Sequence, residues 1–380
     1  MKKKLLIATD SFLPRWDGIA RFLNEILPKL SADYDITVIA PRFNGQLAEF
    51  KDISIIRIPL SRIRVGDYTP AKFCIRRVIK AVKQADIVWT QTIGPIGAPA
   101  ILAARFFRKP LAAYIHSIEW ELFSKSISRK NPFRNLISFL TKAAARCLYN
   151  KCSLLMVPSL EVAEILNWHN IRTKKNVIHL GADTSKFSPA GNKKDAKKKI
   201  GINPEHVVIG FSGRIGREKD LVTLYRAFLR LRKSYDKLVL LIIGKGVKEL
   251  RIMLESKKDI IVIESVDNIV PYLQAMDIYV MPSLTETSSL STMEAMSCSI
   301  AVVSTPVGYI KDYIKNSYNG LFFNKQNSYE LSKNLAVLLD DEKLRAKIGE
   351  NARKTIIEFY NWDKTIKGIE ESLKEIIFSD

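Results

Sequence analysis

The chain has 380 residues, of which 47% are hydrophobic, and a formal net charge of +21 at pH 7. Its length exceeds what one hydrophobic core usually supports, so we expect two domains, and no run approaches the ~20 apolar residues that span a bilayer. The four cysteines have neither disulfide nor metal spacing, which favours reduced thiols in a cytoplasmic protein. The N-terminal lysines followed by residues 5–8 predict a first strand and not a signal peptide, because the apolar run ends at Thr9 and Asp10.

Strand-like and helix-like segments alternate through the first half of the chain. Short apolar runs predict strands at 5–8, 36–40, 53–58, 87–90, 111–115, 154–157 and 177–179. Amphipathic segments predict helices near 19–31, 71–84, 96–107, 131–150 and 159–167. This alternation is typical of a parallel sheet with helices on both faces.

A charged stretch at 188–199 interrupts the alternation, and we interpret it as a linker. Strands are then predicted at 207–212, 238–243, 260–263, 278–281, 301–303 and 321–323, followed by three helices. The pattern predicts two doubly wound parallel sheets, with ligands at the carboxyl ends of strands and in the cleft between the domains.

Two glutamates, Glu286 and Glu294, stand eight positions apart after a predicted strand. The hydroxyl residues Thr287, Ser288 and Ser289 favour the N-cap of a helix whose second turn carries Glu294. N–H groups at such a helix end bind phosphate, and carboxylates accept hydrogen bonds from sugar hydroxyls. The segment therefore predicts a nucleotide-sugar site; an ordinary capped helix with a solvated glutamate is the alternative.

A second loop follows the strand predicted at 207–212. Gly213 and Gly216 flank Arg214, and Lys219 comes five positions later at a helix start. Two cations at a strand end predict binding of a diphosphate whose charge grows as it departs. A basic surface turn is the alternative.

Weaker signals lie at other strand ends. Gly18 allows a ligand to approach the backbone, although a turn glycine explains it equally well. Gly244 and Gly246 imitate a dinucleotide fingerprint, but Glu249 occupies the third position, so we predict close backbone packing. His116 ends a predicted strand and is expected to face the cleft as a catalytic residue; a structural histidine is the alternative.

Asp33 and Asp35 match an Asp-x-Asp signature that holds a divalent metal in some nucleotide-sugar-dependent enzymes. They precede a strand instead of following one, so a helix-to-strand turn explains them better. Because the sequence offers no other cluster of metal ligands, we predict a metal-independent reaction.

The chain resembles the retaining, nucleotide-sugar-dependent glycosyltransferases of family 4, which have the GT-B architecture. The resemblance covers nearly the whole length and is most specific at the Glu286–Glu294 pair and at Gly213, Arg214 and Lys219. It implies an acceptor-binding domain at 1–188, completed by a last helix at 362–380 that crosses back, and a donor-binding domain at 204–361.

The resemblance also implies residue roles. Arg214 and Lys219 would bind the donor diphosphate, Glu294 the ribose and Glu286 the transferred sugar, with His116 beside the anomeric carbon. The remaining donor contacts that it implies are Gly18, Gly213, Gly244, Ile263, Val266, Thr287, Ser288, Ser289 and Leu290. The nucleotide-diphosphate sugar is the co-substrate, and no cofactor is implied.

Two positions depart from the family pattern. The family has Gly-Phe-Gly after the first glutamate, whereas Thr287, Ser288 and Ser289 stand here, a variant that resembles members acting on membrane lipids. Asp17 replaces the first of a glycine pair. Because both glutamates belong to the donor side, we predict front-face attack on the sugar and not a covalent intermediate.

The positive charge is concentrated in the first half of the chain, which indicates an anionic partner. Residues 1–188 hold 30 Lys and Arg against 14 Asp and Glu. The basic residues cluster in two segments: Arg62, Arg64, Lys72, Arg76, Arg77, Lys80 and Lys83, and then Lys125, Arg129, Lys130, Arg134, Lys142, Arg146 and Lys151. Apolar residues in the second segment, Phe133, Leu136, Ile137, Phe139 and Leu140, predict a basic amphipathic helix on an anionic bilayer.

The first hypothesis is therefore a cytoplasmic, peripheral membrane enzyme that transfers a hexose to a glycolipid or a lipid-linked oligosaccharide. A soluble acceptor is an alternative. A non-catalytic nucleic-acid-binding protein is less consistent, because no nucleic-acid motif is found and no nucleic-acid partner is expected. A nucleotide-sugar epimerase would need Glu119 and Glu121 as acid and base. Donor, acceptor, linkage and oligomeric state are not specified by the sequence.

Overall fold

The chain divides into two compact units. The computed structural model describes residues 2–15, 17–45, 50–62, 69–120, 134–256, 258–264, 266–286 and 288–378. Unit 1 comprises Met1–His179 and Thr365–Asp380, and unit 2 comprises Leu180–Lys364.

The described part of unit 1 forms a seven-stranded parallel sheet in the order β3-β2-β1-β4-β5-β6-β7. The strands are β1 (Lys3–Ala8), β2 (Tyr34–Pro41), β3 (Ile53–Ile58), β4 (Ile87–Thr90), β5 (Leu111–Tyr114), β6 (Leu154–Val157) and β7 (Lys175–Val177). The helices of this half are α1 (Gly18–Leu30), α2 (Ile75–Gln84), α3 (Gly97–Phe106), α4 (Arg134–Tyr149) and α5 (Leu160–Trp168). The central strands are continuous apolar runs because helices cover both faces of the sheet.

Unit 2 has a six-stranded parallel sheet in its described part, in the order β10-β9-β8-β11-β12-β13. The strands are β8 (Val207–Ser212), β9 (Leu238–Ile243), β10 (Ile260–Ile263), β11 (Ile278–Met281), β12 (Ala301–Ser304) and β13 (Leu321–Phe322). The helices are α6 (Lys193–Lys199), α7 (Leu221–Leu231), α8 (Lys248–Glu255), α9 (Val270–Ala275), α10 (Leu290–Ser297), α11 (Ile310–Tyr313), α12 (Ser328–Asp340), α13 (Glu342–Phe359) and α14 (Trp362–Phe378), of which α14 belongs to unit 1 from Thr365 onward.

Each sheet reverses its winding direction once, between β1 and β4 in unit 1 and between β8 and β11 in unit 2. In open α/β sheets the loops that follow the two strands at such a switch point diverge and leave a crevice for ligands. The two doubly wound sheets predicted from the sequence are confirmed.

The predicted linker at 188–199 is wrong in its second half, which forms helix α6. Asn192 caps this helix, and one of its lysines, Lys197, is buried. Lys197 Nζ lies 2.8 Å from Asp277 Oδ2 and donates to the carbonyl of His206 at 2.8 Å. This charged segment therefore includes a helix, and the buried ion pair between Lys197 and Asp277 holds it against the rest of unit 2.

The boundary between the units also differs from the predicted one at 188. Ala182 N donates to the carbonyl of Tyr360 at 2.9 Å, and Phe187 is buried in the core of unit 2. The segment that follows His179 therefore belongs to unit 2.

The strand predicted at 177–179 is wrong in position, because β7 spans Lys175–Val177. Beyond that residue the chain contacts the last helix, where Thr365 Oγ1 donates to the carbonyl of His179 at 2.7 Å. Asn176 Nδ2 adds a hydrogen bond of 2.9 Å to Ser372 Oγ. Helix α14 thus completes unit 1 along the edge strand β7.

Among the described residues, every helix is either too short or too polar to cross a membrane.

Candidate active site

Two loops of unit 2 are joined at the carboxyl ends of β8 and β11. After β8, Arg217–Lys219 form a single 3₁₀ turn, and Asp220 has the left-handed backbone that starts α7. Leu284 N, in the loop after β11, donates to the carbonyl of Glu218 at 2.8 Å. The backbone therefore holds both loops at the switch point of the sheet.

This junction brings Lys219 and Glu286 together as predicted. Lys219 Nζ donates to Glu286 Oε1, and the side chains are only 17% and 9% exposed. Ser283 Oγ donates to the same carboxylate oxygen at 2.7 Å. An ammonium, a carboxylate and a hydroxyl thus converge in a mostly buried cluster, where charge interactions are stronger than at an open surface.

Arg214 pairs with Glu218, and its action together with Lys219 on a donor stays a prediction. Its Nη2 donates to Glu218 Oε1 at 2.6 Å, and its side chain is 63% exposed. The turn folds Glu218 back over Gly216, where a Cβ atom would lie 2.4 Å from the carboxylate oxygens. The arginine therefore pairs with the residue four positions later.

Glycine is required where the loops after β8 and β9 meet. Gly244 has a φ of +155°, and a Cβ atom there would lie 1.8 Å from the carbonyl oxygen of Gly213. Ile215 N donates to the carbonyl of Lys245 at 2.8 Å, which continues the pairing of the two strands. The close backbone packing predicted for Gly244 is therefore confirmed. Gly244 N also donates to the carbonyl of Ile263 at 2.9 Å, which brings β10 to the same edge.

Ser289 is the N-cap residue of helix α10, as the sequence predicts, but its side chain makes no capping hydrogen bond. Ser289 precedes the helix with φ +47° and ψ +67°, and its Oγ bonds Thr292 Oγ1 at 2.7 Å instead of a backbone N–H group. The hydroxyl of the buried Tyr313 donates to the carbonyl of Ser288 at 3.3 Å and supports the loop from below. Thr287 lies outside the described residues.

Glu294 lies in the second turn of α10 and is 3% exposed. The neighbouring Leu290 is half-buried at the first position of the helix and packs on the core of unit 2. Val266, in the loop after β10, is also half-buried against that core. These three residues therefore lie in loops or helices that follow strand ends of unit 2, which is the edge that the sequence predicts for them.

In unit 1, Asp17, the residue before Gly18, is the N-cap of helix α1. Asp17 Oδ1 accepts hydrogen bonds from the N–H groups of Ile19 and Ala20 at 3.1 and 3.0 Å. Arg15 Nε lies 3.1 Å from Asp17 Oδ2. A Cβ atom on Gly18 would meet no atom of the described chain within 4 Å, so packing does not require a glycine there. The carboxylate gives this helix end a negative charge.

His116 follows β5 and is enclosed by other side chains. Its Nε2 lies 2.8 Å from Oε1 of Gln91, which follows the adjacent strand β4. Burial lowers the pKa of His116 to about 3, so the imidazole is neutral at physiological pH. A role for His116 in the reaction stays a prediction, and a neutral ring offers one N–H donor and one lone pair for hydrogen bonding.

Glu119, one of the two carboxylates that an epimerase would need, already accepts a hydrogen bond from a neighbouring side chain. Glu119 Oε1 accepts a hydrogen bond from the hydroxyl of Tyr149, and burial raises the pKa of Glu119 to about 7. Its suggested partner Glu121 lies outside the described residues.

Three residues that contact the predicted site residues were not themselves predicted as site residues. Ser283 stands three positions before Glu286 in the same loop, and Gln91 directly follows a strand of unit 1, so the strand-end rule could have found both. Glu218 pairs with Arg214 through an i, i+4 spacing, which is visible in the sequence but has meaning only once the turn is known.

Together the unit 2 residues can bind an anionic, polyhydroxylated ligand. Lys219 offers a positive charge for phosphate, Glu286 accepts hydrogen bonds from hydroxyls, and the uncapped α10 presents N–H groups. Within the described ranges no group of three or more His, Cys, Asp or Glu side chains is arranged to hold a metal ion.

Two family models match the chain in succession. Residues 16–186 match Glycosyltransferase Family 4, and residues 192–355 match Glycosyl transferases group 1. The alpha-monoglucosyldiacylglycerol synthase of Streptococcus pneumoniae is 23% identical, over 93% of this chain and 84% of its own. The UDP-Gal:alpha-D-GlcNAc-diphosphoundecaprenol alpha-1,3-galactosyltransferase of Escherichia coli is 26% identical, over 97% and 96%.

The crystal structure of Anabaena HepE in complex with UDP and glucose has the same fold. It superposes with a TM-score of 0.78 at 17% identity and covers 98% of this chain and 100% of its own. The fold and the two family models thus define a GT-B glycosyltransferase. The chain belongs to the family 4, group 1 glycosyltransferases, as the resemblance in the sequence predicts.

We predict that Lys219→Ala lowers the free energy of unfolding of the ligand-free protein by about 1–3 kcal/mol, because it leaves the buried carboxylate of Glu286 with Ser283 as its remaining partner. Arg214→Ala is the matched control. Its pair with Glu218 is exposed, so its loss is expected to cost less than about 1 kcal/mol. Urea unfolding followed by circular dichroism measures both, and equal effects would contradict the structural role of the Lys219–Glu286 pair.

Proposed function

We propose that the protein is a retaining, metal-independent glycosyltransferase that moves a hexose from a nucleotide-diphosphate sugar to a membrane-lipid-borne acceptor. The acceptor is a glycolipid or a lipid-linked oligosaccharide. The enzyme works as a peripheral protein on the cytoplasmic face of the membrane. The observation that carries the donor half of this proposal is the Lys219–Glu286 pair at the switch point of unit 2.

The pair is suited to exchange partners when the donor binds. A diphosphate offers Lys219 a stronger anion than a shared carboxylate, and the sugar hydroxyls offer hydrogen-bond donors to Glu286. N–H groups from Ser288 to Leu290, at the uncapped start of α10, add donors for the phosphate or the sugar. Each group gains one partner as it loses another, so the exchange leaves neither buried charge without a hydrogen bond.

The remaining donor contacts follow from position at the same edge. We assign the ribose hydroxyls to Glu294, the base to the surface near Ile263 and Val266, and backbone contacts to Gly213 and Gly244. Arg214 is exposed on its loop and reaches the diphosphate by releasing Glu218, an exposed pair that costs little to break.

The reaction is a front-face displacement. The bond between the anomeric carbon and the diphosphate oxygen breaks with its electron pair on the phosphate, and the acceptor oxygen bonds the same face of that carbon. The acceptor's proton passes to the departing phosphate oxygen. Lys219, Arg214 and the start of α10 stabilise the negative charge that develops there, which lowers the barrier without a covalent intermediate.

The acceptor half of the proposal rests on one surface of unit 1. Helix α2 packs against α3, and α3 contacts α4. These three helices contain no acidic residue. Their large exposed apolar residues are Phe73, just before α2, Ile75, Leu102, Phe106, Leu136, Phe139 and Leu140, and their exposed basic residues are Arg76, Arg77, Lys80, Lys83, Arg105 and Arg146. We call these residues the basic apolar surface.

Anionic lipid is the partner that this composition fits. Phe106 and Phe139 are 79% and 67% exposed, which is costly in water and favourable at a lipid interface. Each Lys or Arg near an anionic bilayer contributes roughly 1 kcal/mol, so four or five suffice for reversible attachment. The two lipid-related names among the relatives support the same class of acceptor. Arg64, Lys125, Arg129, Lys130 and Phe133, which the sequence also assigned to this surface, lie outside the described residues.

The donor is identified by thermal-shift screening against UDP-, GDP- and ADP-sugars. At 100 times its Kd, the matched donor is expected to stabilise the protein by about 2.7 kcal/mol, because it binds the folded state alone. Transfer is then assayed with membrane lipid extract and with soluble sugars, with and without EDTA, and the anomeric configuration of the product is read by NMR. Stabilisation without transfer to any lipid, an inverted product or loss of activity in EDTA would each contradict the corresponding part of the proposal.

Lys219→Ala is expected to lower the transfer rate by about 10²–10³ while it weakens donor binding less than about tenfold, because the ammonium matters most when the phosphate departs. Single-turnover kinetics and donor titration measure the two effects separately. Lys245→Ala, which removes an exposed lysine from the neighbouring loop after β9, is the control. Equal losses of rate and affinity in Lys219→Ala would remove the leaving-group role.

The variant Arg76→Glu/Arg77→Glu is expected to weaken binding to vesicles that contain anionic lipid by about 10- to 100-fold, since two attractive charges become repulsive. Phe139→Ser tests the apolar contribution, with Tyr329→Ser in unit 2 as an exposed aromatic control. Vesicle flotation at low and high salt is the measurement. Unchanged binding in both unit 1 variants would show that another surface meets the membrane.

A further inference from the structure

His116 is held by groups that carry no charge near neutral pH. Tyr114 packs on its ring at a centroid distance of 4.6 Å, and Phe22 of α1 meets it edge-on at 4.9 Å. Burial raises the pKa of Tyr114 well above its usual range, so that residue stays neutral. The remaining polar contact of the imidazole within the described chain is with Gln91. A neutral imidazole carries one N–H group, and its neighbours decide which nitrogen has it.

Gln91 is buried, with 2% of its surface exposed, and its own backbone is fixed. Its N–H group donates to the carbonyl of Ala8 in the adjacent strand at 2.9 Å. The turn after it is held by Asp10, which accepts a hydrogen bond of 2.6 Å from Thr92 Oγ1 and another of 2.8 Å from Ile96 N. The amide oxygen of Gln91 therefore meets His116 at 2.8 Å from a rigid strand end.

The amide nitrogen of Gln91 is buried and makes no hydrogen bond with any described residue. A buried polar group without a partner destabilises the folded state, and a hydrophobic residue of similar size would avoid this. Among the described residues, the side-chain hydrogen bond of Gln91 is the one to the imidazole, so His116 is the group through which the glutamine can act.

We propose that Gln91 is a positioning residue that holds His116 with its proton on Nε2, so that Nδ1 accepts a hydrogen bond from a hydroxyl of the sugar substrate. This inference rests on the proposed function. The N–H group at Nε2 donates to the amide oxygen, which leaves Nδ1 with a lone pair and without a hydrogen bond from the described residues. Sugar hydroxyls are hydrogen-bond donors, and a fixed acceptor orients one of them at no cost in ring rotation.

The first test needs no substrate. The chain has four histidines, so selective ¹⁵N labelling of histidine gives four ring systems, and His116→Ala identifies the relevant signals. We expect His116 in the unliganded protein as the Nε2–H tautomer, unchanged between pH 5.5 and 8.5. Titration of His116 within that range, or a proton on Nδ1, would overturn the proposal. Because this measurement does not involve catalysis, it stands even if no nucleotide sugar is turned over and the proposed function fails.

The second test is a double-mutant cycle. Gln91→Leu is expected to lower kcat/KM by about tenfold, the value of roughly one hydrogen bond, and to add nothing further in the His116→Ala background. Gln274→Leu removes a half-buried glutamine of unit 2, whose amide donates to the carbonyl of Ser188, and serves as the control that leaves activity unchanged. Additive losses in Gln91→Leu/His116→Ala would mean that Gln91 does not act through the imidazole.

Gln91→Glu gives a readout that a purely structural role would not move. A carboxylate beside Nε2 raises the pKa of His116, because it stabilises the imidazolium. Protonation then turns Nδ1 from an acceptor into a donor, so kcat/KM acquires a new acid limb that the unsubstituted protein lacks and recovers at higher pH. A pH profile identical to that of the unsubstituted protein would refute the proposal.

Discussion

The candidate active site depends on the attraction between Lys219 and Glu286. Each residue would be costly to bury alone, and each follows a different strand of the unit 2 sheet. The backbone hydrogen bond from Leu284 to Glu218 brings the loops together, and the ion pair then makes a mostly buried charge pair tolerable before any ligand is present. The structure can therefore keep the charged groups of the site close together in the absence of a donor, at a position that the switch point of a parallel sheet leaves open.

Much of this arrangement can be predicted from the sequence, for physical reasons. Strands covered by helices on both faces must be apolar throughout, so the runs that form β8 and β11 are unmistakable. Parallel strands end at one edge, which brings Lys219 and Glu286 within reach of one another. The predictions that fail depend on distant contacts or on backbone conformation, which the composition of a segment does not reveal. Composition does not reveal the helix within 188–199 because the partner of Lys197 is Asp277, 80 positions away. It does not reveal the lack of a side-chain cap on α10 because that depends on the left-handed backbone of Ser289.

Unit 1 contains two chemically different groups of residues, one at the ends of its strands and one exposed on its helices. Its buried strand ends carry neutral polar groups, Gln91 and His116, while helices α2, α3 and α4 carry exposed cations and aromatic rings without acidic residues. Neutral groups suit a sugar, whose hydroxyls need orientation and not charge. The exposed positive charge of these helices is therefore separate from the buried polar groups at the strand ends.

The path of the chain has a consequence for dissection of the protein. Because helix α14 returns to unit 1 after Lys364, unit 2 is one uninterrupted segment inserted between two pieces of unit 1. A gene fragment encoding 180–364 would retain every strand of its own sheet, including the Lys219–Glu286 pair, whereas a fragment that stops at 179 would expose the edge strand β7 by losing its covering helix. Unit 2 is thus the portion suited to separate production and ligand titration, and unit 1 requires both ends of the polypeptide.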